Sequence, residues 1–472
     1  MRPSRIVAAL VAMLVLVALG VGVVTGFLAT AGERTLYATG LWSRGGASTV
    51  PPGTFDLPAG PTSPSSATSA PEVGGLPAPV LPTASAGRTP SAAKVAARIA
   101  SVEDKEVGGV YSAEVADLGS GKVVYRHRAG APSIPASTTK LLTSTAALSL
   151  LGDDHVFTTR VVRSSASRVV LVGGGDPYLT GSTLTHLAAE TAAELRRSRT
   201  TKVTLGYDAT LFSGPSWHPR WPAAYADQVT PVSALWVDEG RTGGGSPGPR
   251  SSNPARDAAR AFAAALKKKG VTVTATAAAL APAKATVLAT APSLPLEQIV
   301  QRLLLASDND AAEVLLRQAA LAERRPGSFV EGTRAVRREL TRLKLWGPGA
   351  ALADGSGLAR QTRVPAATLV DLLRQAASPA HPELRPVLTG LPVAGVEGSL
   401  RIRYVDDQSL AGRGVVRGKT GTLRQVHALA GYLRTADGEQ MAFAFVVNDA
   451  ADDYAARLWL DRVSTALSRC GC

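Results

Sequence analysis

The sequence predicts an α/β (α+β) fold in which an antiparallel sheet is flanked by helices and carries a smaller inserted region. Strand-like runs with alternating apolar residues occur near 110–125 and again at 414–447, and amphipathic helical patterns lie between them. Strands at both ends around central helices imply one sheet that the two chain ends close together. With 472 residues, the chain is long enough for more than one domain.

A transmembrane helix is predicted at the N-terminus. An uncharged, mostly apolar run covers residues 6–31, after Arg2 and Arg5, and about 20 helical residues cross a bilayer. The positive charges predict a cytoplasmic end, so residues 1–32 form a cytoplasmic tip and an anchor or signal. The length favours an uncleaved anchor, but residues 29–31 have the form of a cleavage site. The rest of the chain is therefore extracytoplasmic: it is held by a single-pass anchor in the cell membrane, or secreted if the segment is cleaved.

A linker is predicted over residues 33–92. Between positions 43 and 92, 39 of 50 residues are Ala, Gly, Pro, Ser or Thr, a composition without core-forming periodicity. Fifty flexible residues span about 40 Å on average. The ordered part is predicted to consist of a main domain, residues 93–160 and 275–472, and an inserted region, residues 161–274.

Composition argues against several classes of function. The formal net charge is +14, and basic proteins often meet polyanions. No aromatic-basic recognition motif accompanies the charge, so we expect no nucleic acid partner; anionic wall polymers and lipid headgroups fit an exported chain better. The six histidines form no H-x-x-x-H pattern, and Cys470 and Cys472 cannot build a disulfide framework. We expect no metal and no cofactor.

The motif Ser137-Thr138-Thr139-Lys140 places a hydroxyl and an amine on one face of a predicted helix that Gly152 ends. Ser137, at the helix N-terminus, is the candidate nucleophile, because free N–H groups and the helix dipole stabilise negative charge there. The reference pKa of lysine is about 10.4. Burial and a neighbouring charge, such as Lys419, are expected to lower that of Lys140, so that it is neutral at rest and takes the Ser137 proton. Alone, the motif is more often an N-cap serine and a solvated lysine.

A second motif, Ser307-Asp308-Asn309, falls between two predicted helices at 295–305 and 310–320. A polar tripeptide at such a junction is well placed to project into a cleft. Ser307 can relay a proton to a leaving amine. Asn309 offers both a donor and an acceptor and can hold a substrate amide. By itself, the tripeptide is more often a helix N-cap.

A third motif, Lys419-Thr420-Gly421-Thr422, opens a predicted antiparallel meander whose next strands cover 427–433 and 441–447. Lys419 and the hydroxyls of Thr420 and Thr422 suit a free carboxylate. Gly421 permits close approach of a ligand to the backbone. The backbone N–H groups of Ser137 and Thr422 are the expected oxyanion donors. Without its partners, the motif would be a surface strand end with a turn glycine.

In this order the three motifs spell S-x-x-K, S-x-N and K-T-G, the signature of serine acyl-enzymes that open D-alanyl peptides or β-lactams. The chain resembles the penicillin-binding protein 4 type of D-alanyl-D-alanine carboxypeptidase/endopeptidase, within the acyl-serine penicillin-recognising superfamily. Four further segments that contain no proposed catalytic residue support the resemblance over about residues 95–470: 171–179 (G-G-D-P), 231–235 (P-x-S-A), 253–255 and 354–358 (D-G-S-G-L).

The resemblance implies a β-lactamase/transpeptidase-like penicillin-binding peptidase domain that acts on peptidoglycan stem peptides and is inhibited covalently by penicillins. It also suggests Asp227, after Trp217 and Trp221, as a candidate for recognising the cross-linker amine; the alternative is an ordinary loop aspartate. One alternative is a serine β-lactamase, but these enzymes need a glutamate, typically in E-x-x-x-N. The nearest match, 339–343, has no Asn. The other alternative is a catalytically silent wall-binding protein.

Overall fold

The computed structural model describes residues 91–102, 107, 110–243 and 245–471. Both the predicted membrane segment and almost all of the predicted linker lie outside these residues. Within the described ranges, none of the helices combines the length and the apolar character that crossing a bilayer requires.

Ten helices and two five-stranded sheets make up the described part of the chain. The strands are β1 (Val110–Asp117), β2 (Val123–His127), β3 (Thr158–Ser165), β4 (Arg168–Val172), β5 (Lys202–Asp208), β6 (Thr272–Ala278), β7 (Thr286–Pro292), β8 (Arg417–Leu423), β9 (Val426–Arg434) and β10 (Gln440–Asn448). The helices are α1 (Ala92–Ala100), α2 (Thr139–Leu151), α3 (Gly181–Arg197), α4 (Pro254–Lys268), α5 (Leu296–Ala306), α6 (Asn309–Ala322), α7 (Phe329–Arg342), α8 (Ala366–Ala377), α9 (Pro386–Thr389) and α10 (Asp453–Ser468).

The first sheet has the order β2-β1-β10-β9-β8, and each neighbouring pair is antiparallel. Strand β1, from the N-terminal side, pairs with β10, from the C-terminal side, over its whole length. The prediction of one sheet closed by both chain ends is therefore confirmed. The K-T-G motif lies on β8, the edge strand, as the predicted meander requires.

Both faces of this sheet are covered because its central strands are apolar on both sides. On β9 and β10 the small side chains of Ala428, Ala430 and Ala444 pack against the core formed by α2, α5, α6 and α8. The larger Phe443 and Phe445 point to the opposite face, against α1 and α10. The alanines let the central helices approach the sheet closely, and α2, which carries the first motif at its start, is buried over most of its length.

The second sheet, of order β6-β5-β4-β3-β7, lies between the first and second motifs in sequence. Strands β4, β5 and β6 are parallel and are connected through α3 and α4, whose apolar faces cover the sheet. Helix α4 begins within the 253–255 segment noted in the sequence. The sheet begins at Thr158 and ends at Pro292, so it extends past both predicted limits of the inserted region. The division into domains stays a prediction.

Candidate active site

Ser137 lies in a turn of 3-10 helix, Ala136–Thr138, that leads directly into α2. The turn is held by its own hydroxyls: Thr138 Oγ1 donates to Pro135 O and Thr139 Oγ1 to Ala136 O, both at 2.8 Å. Ala136 has a φ of 47°, a left-handed conformation that a residue with a Cβ adopts only when its surroundings impose it. The predicted position of Ser137 at a helix start is confirmed.

Lys140 is completely buried, and its ammonium group connects three parts of the site. Nζ donates to Ser137 Oγ at 2.9 Å, to Asn309 Oδ1 at 2.7 Å and to the backbone oxygen of Ser356 at 3.0 Å. These three contacts match the three donors of a lysine ammonium. The amine is therefore fixed beside the candidate nucleophile.

Burial lowers the pKa of Lys140 from its ordinary value to about 8. Four carboxylates oppose this effect by favouring the charged form: Asp308, Glu313, Asp354 and Asp310. A pKa near 8 brings the deprotonation of Lys140 close to neutral pH, and the neutral resting amine stays a prediction. Burial is the main cause of the lowered pKa of Lys140, and the charge of Lys140 in turn lowers the pKa of Lys419.

A second lysine–hydroxyl pair lies next to the first. Lys419, on β8, is completely buried and donates from Nζ to Ser307 Oγ at 2.7 Å and to Thr420 O at 2.9 Å. Burial, and then the charge of Lys140, lower its pKa well below the ordinary value. Ser307 ends α5 in the left-handed conformation, with φ of 56°. Since glycine is the usual residue in that position, the serine side chain is held there against a conformational cost.

Asn309 is the first residue of α6, and the structure already engages both ends of its side chain. Oδ1 accepts from Lys140 Nζ, and Nδ2 donates to the backbone oxygen of Gln228 at 2.9 Å. Gln228 precedes α4 in the inserted region. The amide thus links the lysine to that region, and its predicted contact with a substrate amide stays a prediction.

Strand β8 lies directly against the turn that carries Ser137. A Cβ placed on Gly421 would be 2.5 Å from Pro135 O and 3.3 Å from the Cβ of Ala136, so only glycine fits here without movement. Thr420 is buried, and its hydroxyl hydrogen-bonds Ser399 Oγ at 2.8 Å. Thr422 is exposed, and its roles as oxyanion donor and carboxylate ligand stay predictions.

The structure adds to the site a loop that was not predicted to belong to it. The D-G-S-G-L segment supplies the Ser356 oxygen that accepts from Lys140. Glu313 of α6 stabilises the backbone of this loop, because its carboxylate accepts from Ser356 N at 2.8 Å and from Gly355 N. A Cβ on Gly357 would lie 2.0 Å from Ala136 O. The loop therefore touches both the base candidate and the turn before the nucleophile.

Asp354, the first residue of this loop, stabilises its backbone and connects it to Trp221. Asp354 accepts from Gly357 N and Ala359 N, and Trp221 Nε1 donates to its Oδ2 at 2.8 Å. Trp221 is thus buried in a structural contact, while Asp227 is exposed. Amine recognition by Asp227 stays a prediction.

Glu339, considered for the β-lactamase alternative, faces another part of the molecule. Its carboxylate accepts from Ser149 Oγ and from Arg342. Ser149 lies about 18 Å from Ser137 along the axis of α2, from the helical rise per residue. Glu339 is therefore not placed to activate water at Ser137.

Five of the predicted residues converge: Ser137, Lys140 and Asn309 share one hydrogen-bond network, and Ser307 and Lys419 form the pair beside it. A hydroxyl at a helix start beside a buried amine of lowered pKa is an arrangement for nucleophilic attack on a carbonyl. The neighbouring lysine and hydroxyls can bind an anionic group. Such a constellation can carry out acyl transfer.

Comparisons with known proteins agree with this chemistry. The profile of the D-Ala-D-Ala carboxypeptidase 3 (S13) family matches residues 92–244 and 246–467. A carboxypeptidase from Mycobacterium tuberculosis is 37% identical over 410 residues, covering 83% of this chain and 87% of that protein. A D-alanyl-D-alanine carboxypeptidase from Actinomadura sp. is 32% identical over 466 residues, covering 78% of this chain and 85% of that protein.

Solved structures show the same fold. Penicillin binding protein 4 from Haemophilus influenzae superposes with a TM-score of 0.67 at 22% identity and covers 80% of this chain and 99% of its own. The same protein complexed with a β-lactam gives a TM-score of 0.61 at 23% identity, over 77% of this chain and 97% of its own. The likeness confirms the predicted mixed α/β fold.

Proposed function

The chain belongs to the D-Ala-D-Ala carboxypeptidase 3 (S13) family and is a serine-type D-Ala-D-Ala carboxypeptidase; on that premise we propose that it acts through an acyl-enzyme on Ser137. The observation that carries the proposal is the 2.9 Å contact between Lys140 Nζ and Ser137 Oγ at the start of α2. The proposed substrates are peptidoglycan stem peptides that end in D-Ala-D-Ala.

In the proposed reaction, Ser137 Oγ attacks the carbonyl carbon of the penultimate D-Ala, and its proton passes to the neutral form of Lys140. The oxyanion forms beside the backbone N–H groups of Ser137 and Thr422. The C–N bond then breaks, and Ser307 relays a proton to the leaving D-alanine. Water hydrolyses the acyl-enzyme and regenerates the hydroxyl of Ser137.

The proposed role of Lys419 is to bind the terminal carboxylate of the substrate, with Thr420 and Thr422. A carboxylate near Lys419 favours the protonated amine, since an opposite charge stabilises the charged form. A charged Lys419 in turn favours the neutral form of Lys140, because the two buried lysines feel each other's charge. Substrate binding would thereby help to prepare the base.

Penicillins are proposed as covalent inhibitors of the same serine. Attack of Ser137 on the β-lactam carbonyl opens the ring and leaves an acyl group bound to Oγ. The complex of the Haemophilus influenzae protein with a β-lactam supports this proposal. Endopeptidase activity on cross-linked peptides would use the same acyl-enzyme with a larger leaving amine.

We also propose that residues 6–31 anchor the protein in the cell membrane and that the linker lets the catalytic part reach the wall. The apolar run and the composition of residues 33–92 support this proposal. Alkaline extraction of membranes tests the anchor, since an anchored chain stays in the pellet and a cleaved one does not. Deletion of the linker should change wall cross-linking in cells; an unchanged pattern would contradict the spacer role.

The test of the function uses the full-length chain and a purified muropeptide that ends in D-Ala-D-Ala. Mass analysis should show loss of one D-alanine, and Ser137→Ala should abolish the loss. A tetrapeptide product from the serine variant, or an unchanged pentapeptide with the natural chain, would contradict the proposal. A cross-linked dimer as second substrate measures endopeptidase activity.

A further inference from the structure

Three buried carboxylates lie together behind the S-D-N motif, outside the contacts that the proposed reaction uses. Oxygens of Glu239, Asp308 and Asp310 all lie within 4.8 Å of one another. Two of these residues flank Asn309 in sequence, and the third comes from the inserted region. Like charges at such distances repel, so the cluster requires neighbouring cations or bound protons.

Two arginines of the inserted region supply the cations. Arg241 donates from Nε to Glu239 Oε2 at 2.7 Å and from Nη2 to Asp308 Oδ2 at 3.3 Å. Arg250, with a side chain only 2% exposed, places Nη2 3.4 Å from Asp310 Oδ2. The guanidinium groups occupy the surroundings of the carboxylates, so the cluster is an ion-pair network that joins the inserted region to the motif.

The members of this network differ in charge. Burial, and then the charge of Asp308, raise the pKa of Glu239 well above its ordinary value and that of Asp310 to about 7. Burial also opposes the charge of Asp308, but a hydrogen bond with Glu239 and the charge of Arg241 hold its pKa below the ordinary value. At neutral pH the carboxylate in the centre of the motif is therefore ionised, and it needs Arg241.

The backbone that presents Arg241 is strained. Asp238, Glu239 and Gly240 have consecutive φ values of 48°, 55° and 66°, and the left-handed conformation is unfavourable for the two non-glycine residues. Thr230 Oγ1 donates to Glu239 O at 2.6 Å, and Ser251 N donates to Gly240 O at 2.8 Å. A turn that is held in this conformation by its neighbours fixes where Arg241 points.

We propose that Arg241 is a positioning residue for the reaction. It holds the Asp308 side chain next to Asn309, and its positive charge weakens the electrostatic attraction of this carboxylate for the ammonium form of Lys140. The inference rests on the proposed role of Lys140 as the base. Asp308 stands first among the carboxylates that favour the charged form of this lysine, after the opposing effect of burial. Removal of Arg241 would leave that charge uncompensated, whereas removal of the Asp308 charge would favour the neutral amine.

Several charged groups face this system. The charged groups around Lys140 come from three elements: Asp308, Asp310 and Glu313 from α6 and its start, Asp354 from the D-G-S-G-L loop, and Lys419 from β8. The charged groups around the carboxylates come from the inserted region and are Glu239, Arg241 and Arg250. Substitutions at Arg241 and Asp308 change the charge of the network without altering Lys140 or the loop whose Ser356 oxygen accepts from it.

The test measures the rate of acylation of the full-length chain by a labelled penicillin between pH 5.5 and 9.5. Arg241→Gln should shift the acid limb of the profile to higher pH and slow the reaction at pH 7 roughly three- to tenfold, since one pKa unit is a factor of ten. Asp308→Asn should shift the limb to lower pH. Asparagine caps a helix as well as aspartate, so α6 keeps its N-cap.

Arg241→Lys keeps the charge and should leave the limb near its natural position. Arg334→Gln, which removes an exposed arginine of α7, is the control without a shift. The proposal is supported if the acid limb shifts to higher pH in Arg241→Gln and to lower pH in Asp308→Asn. Shifts of the same sign, or no shift, overturn it. If Arg241→Gln does not fold, the shift of the acid limb in Asp308→Asn decides. If the natural chain forms no adduct at any pH, the proposed function fails, which is a different result.

Discussion

The site contains two lysine–hydroxyl pairs that are alike in geometry and different in surroundings. Lys140 lies 2.9 Å from Ser137 Oγ, and Lys419 lies 2.7 Å from Ser307 Oγ. Both lysines are completely buried. Four carboxylates favour the charged form of Lys140, whereas the main charge felt by Lys419 is that of Lys140 itself.

The difference shows how one pair of side-chain types can serve two tasks. The carboxylates keep the pKa of Lys140 near 8, where an amine can both accept and return a proton close to neutral pH. Lys419 lacks such compensation and is prepared to gain a proton when an anion arrives. The distance between a buried lysine Nζ and a serine Oγ therefore does not distinguish a base from an anion-binding group, whereas the charges around the lysine do.

The largest expected effect comes from replacing each lysine by arginine. Arginine cannot be deprotonated in a protein, but it retains the positive charge. Lys140→Arg should therefore lower the acylation rate by about 10²- to 10⁴-fold, the usual contribution of a general base. Lys419→Arg should lose at least about tenfold less, because a cation for the substrate carboxylate remains. The measurement is the rate of penicillin acylation and of D-alanine release at pH 8.

The two variants control for each other, since both add bulk at a completely buried position. Equal losses would show that crowding explains the effect. Near-natural turnover in Lys140→Arg would remove this lysine from the role of base.

Gly421→Ala should separate the two pairs. The new Cβ would lie 2.5 Å from Pro135 O, so either β8 or the turn that carries Ser137 must move. A displacement of about 1 Å can lower activity about 10²-fold. Gly130→Ala is the matched control, because nothing lies within 4 Å of a Cβ there. Steady-state kinetics of both variants check the prediction. An active Gly421→Ala would show that the reaction does not depend on the exact distance between the two lysine–hydroxyl pairs.

The pH dependence should report Lys140. Because its pKa is about 8 and the neutral form accepts the proton, the acylation rate should rise with pH through about 8 and then level off. Between pH 7 and pH 8 the neutral fraction grows about fivefold. A rate that falls with pH across this range would indicate that the reactive amine is protonated.

The smallest expected effect is a difference in stability between two variants of Ser307, which distinguishes the role of its hydroxyl from that of its backbone conformation. Ser307→Gly and Ser307→Ala both remove the group that accepts from Lys419, so both should lose activity to a similar extent. Glycine also relieves the left-handed conformation, so Ser307→Gly should be more stable than Ser307→Ala by about 1 kcal/mol. Chemical denaturation measures this difference; unequal activities with equal stabilities would contradict the account.

Local patterns in the sequence predicted the parts of the site that depend on local structure. The helix start at Ser137, the junction at Ser307 and the strand of Lys419 follow from apolar periodicity and motif spacing. The closing of the first sheet follows because strands at the two chain ends have buried faces to cover.

Two long-range contacts at the site escaped prediction. The contact from Ser356 O to Lys140 and the ion pair from Arg241 to Asp308 join residues far apart in sequence, and neither has a local pattern. The lowered pKa of Lys140 follows from burial, which the sequence indicates, but the four acidic residues that oppose the shift have no local pattern; the neutral resting state stays a prediction. Glu313, an acidic residue among the apolar residues of α6, is one sign of such a network.

The most direct test of the account is to map the residue that a labelled penicillin modifies in the full-length chain. After proteolysis, mass spectrometry should find the opened β-lactam on the peptide that contains Ser137, with slow release and with no adduct in Ser137→Ala. An adduct on another residue, or rapid turnover of the penicillin without a stable adduct, would contradict the assignment of Ser137 and its neighbouring lysine as the centre of a slowly deacylating carboxypeptidase.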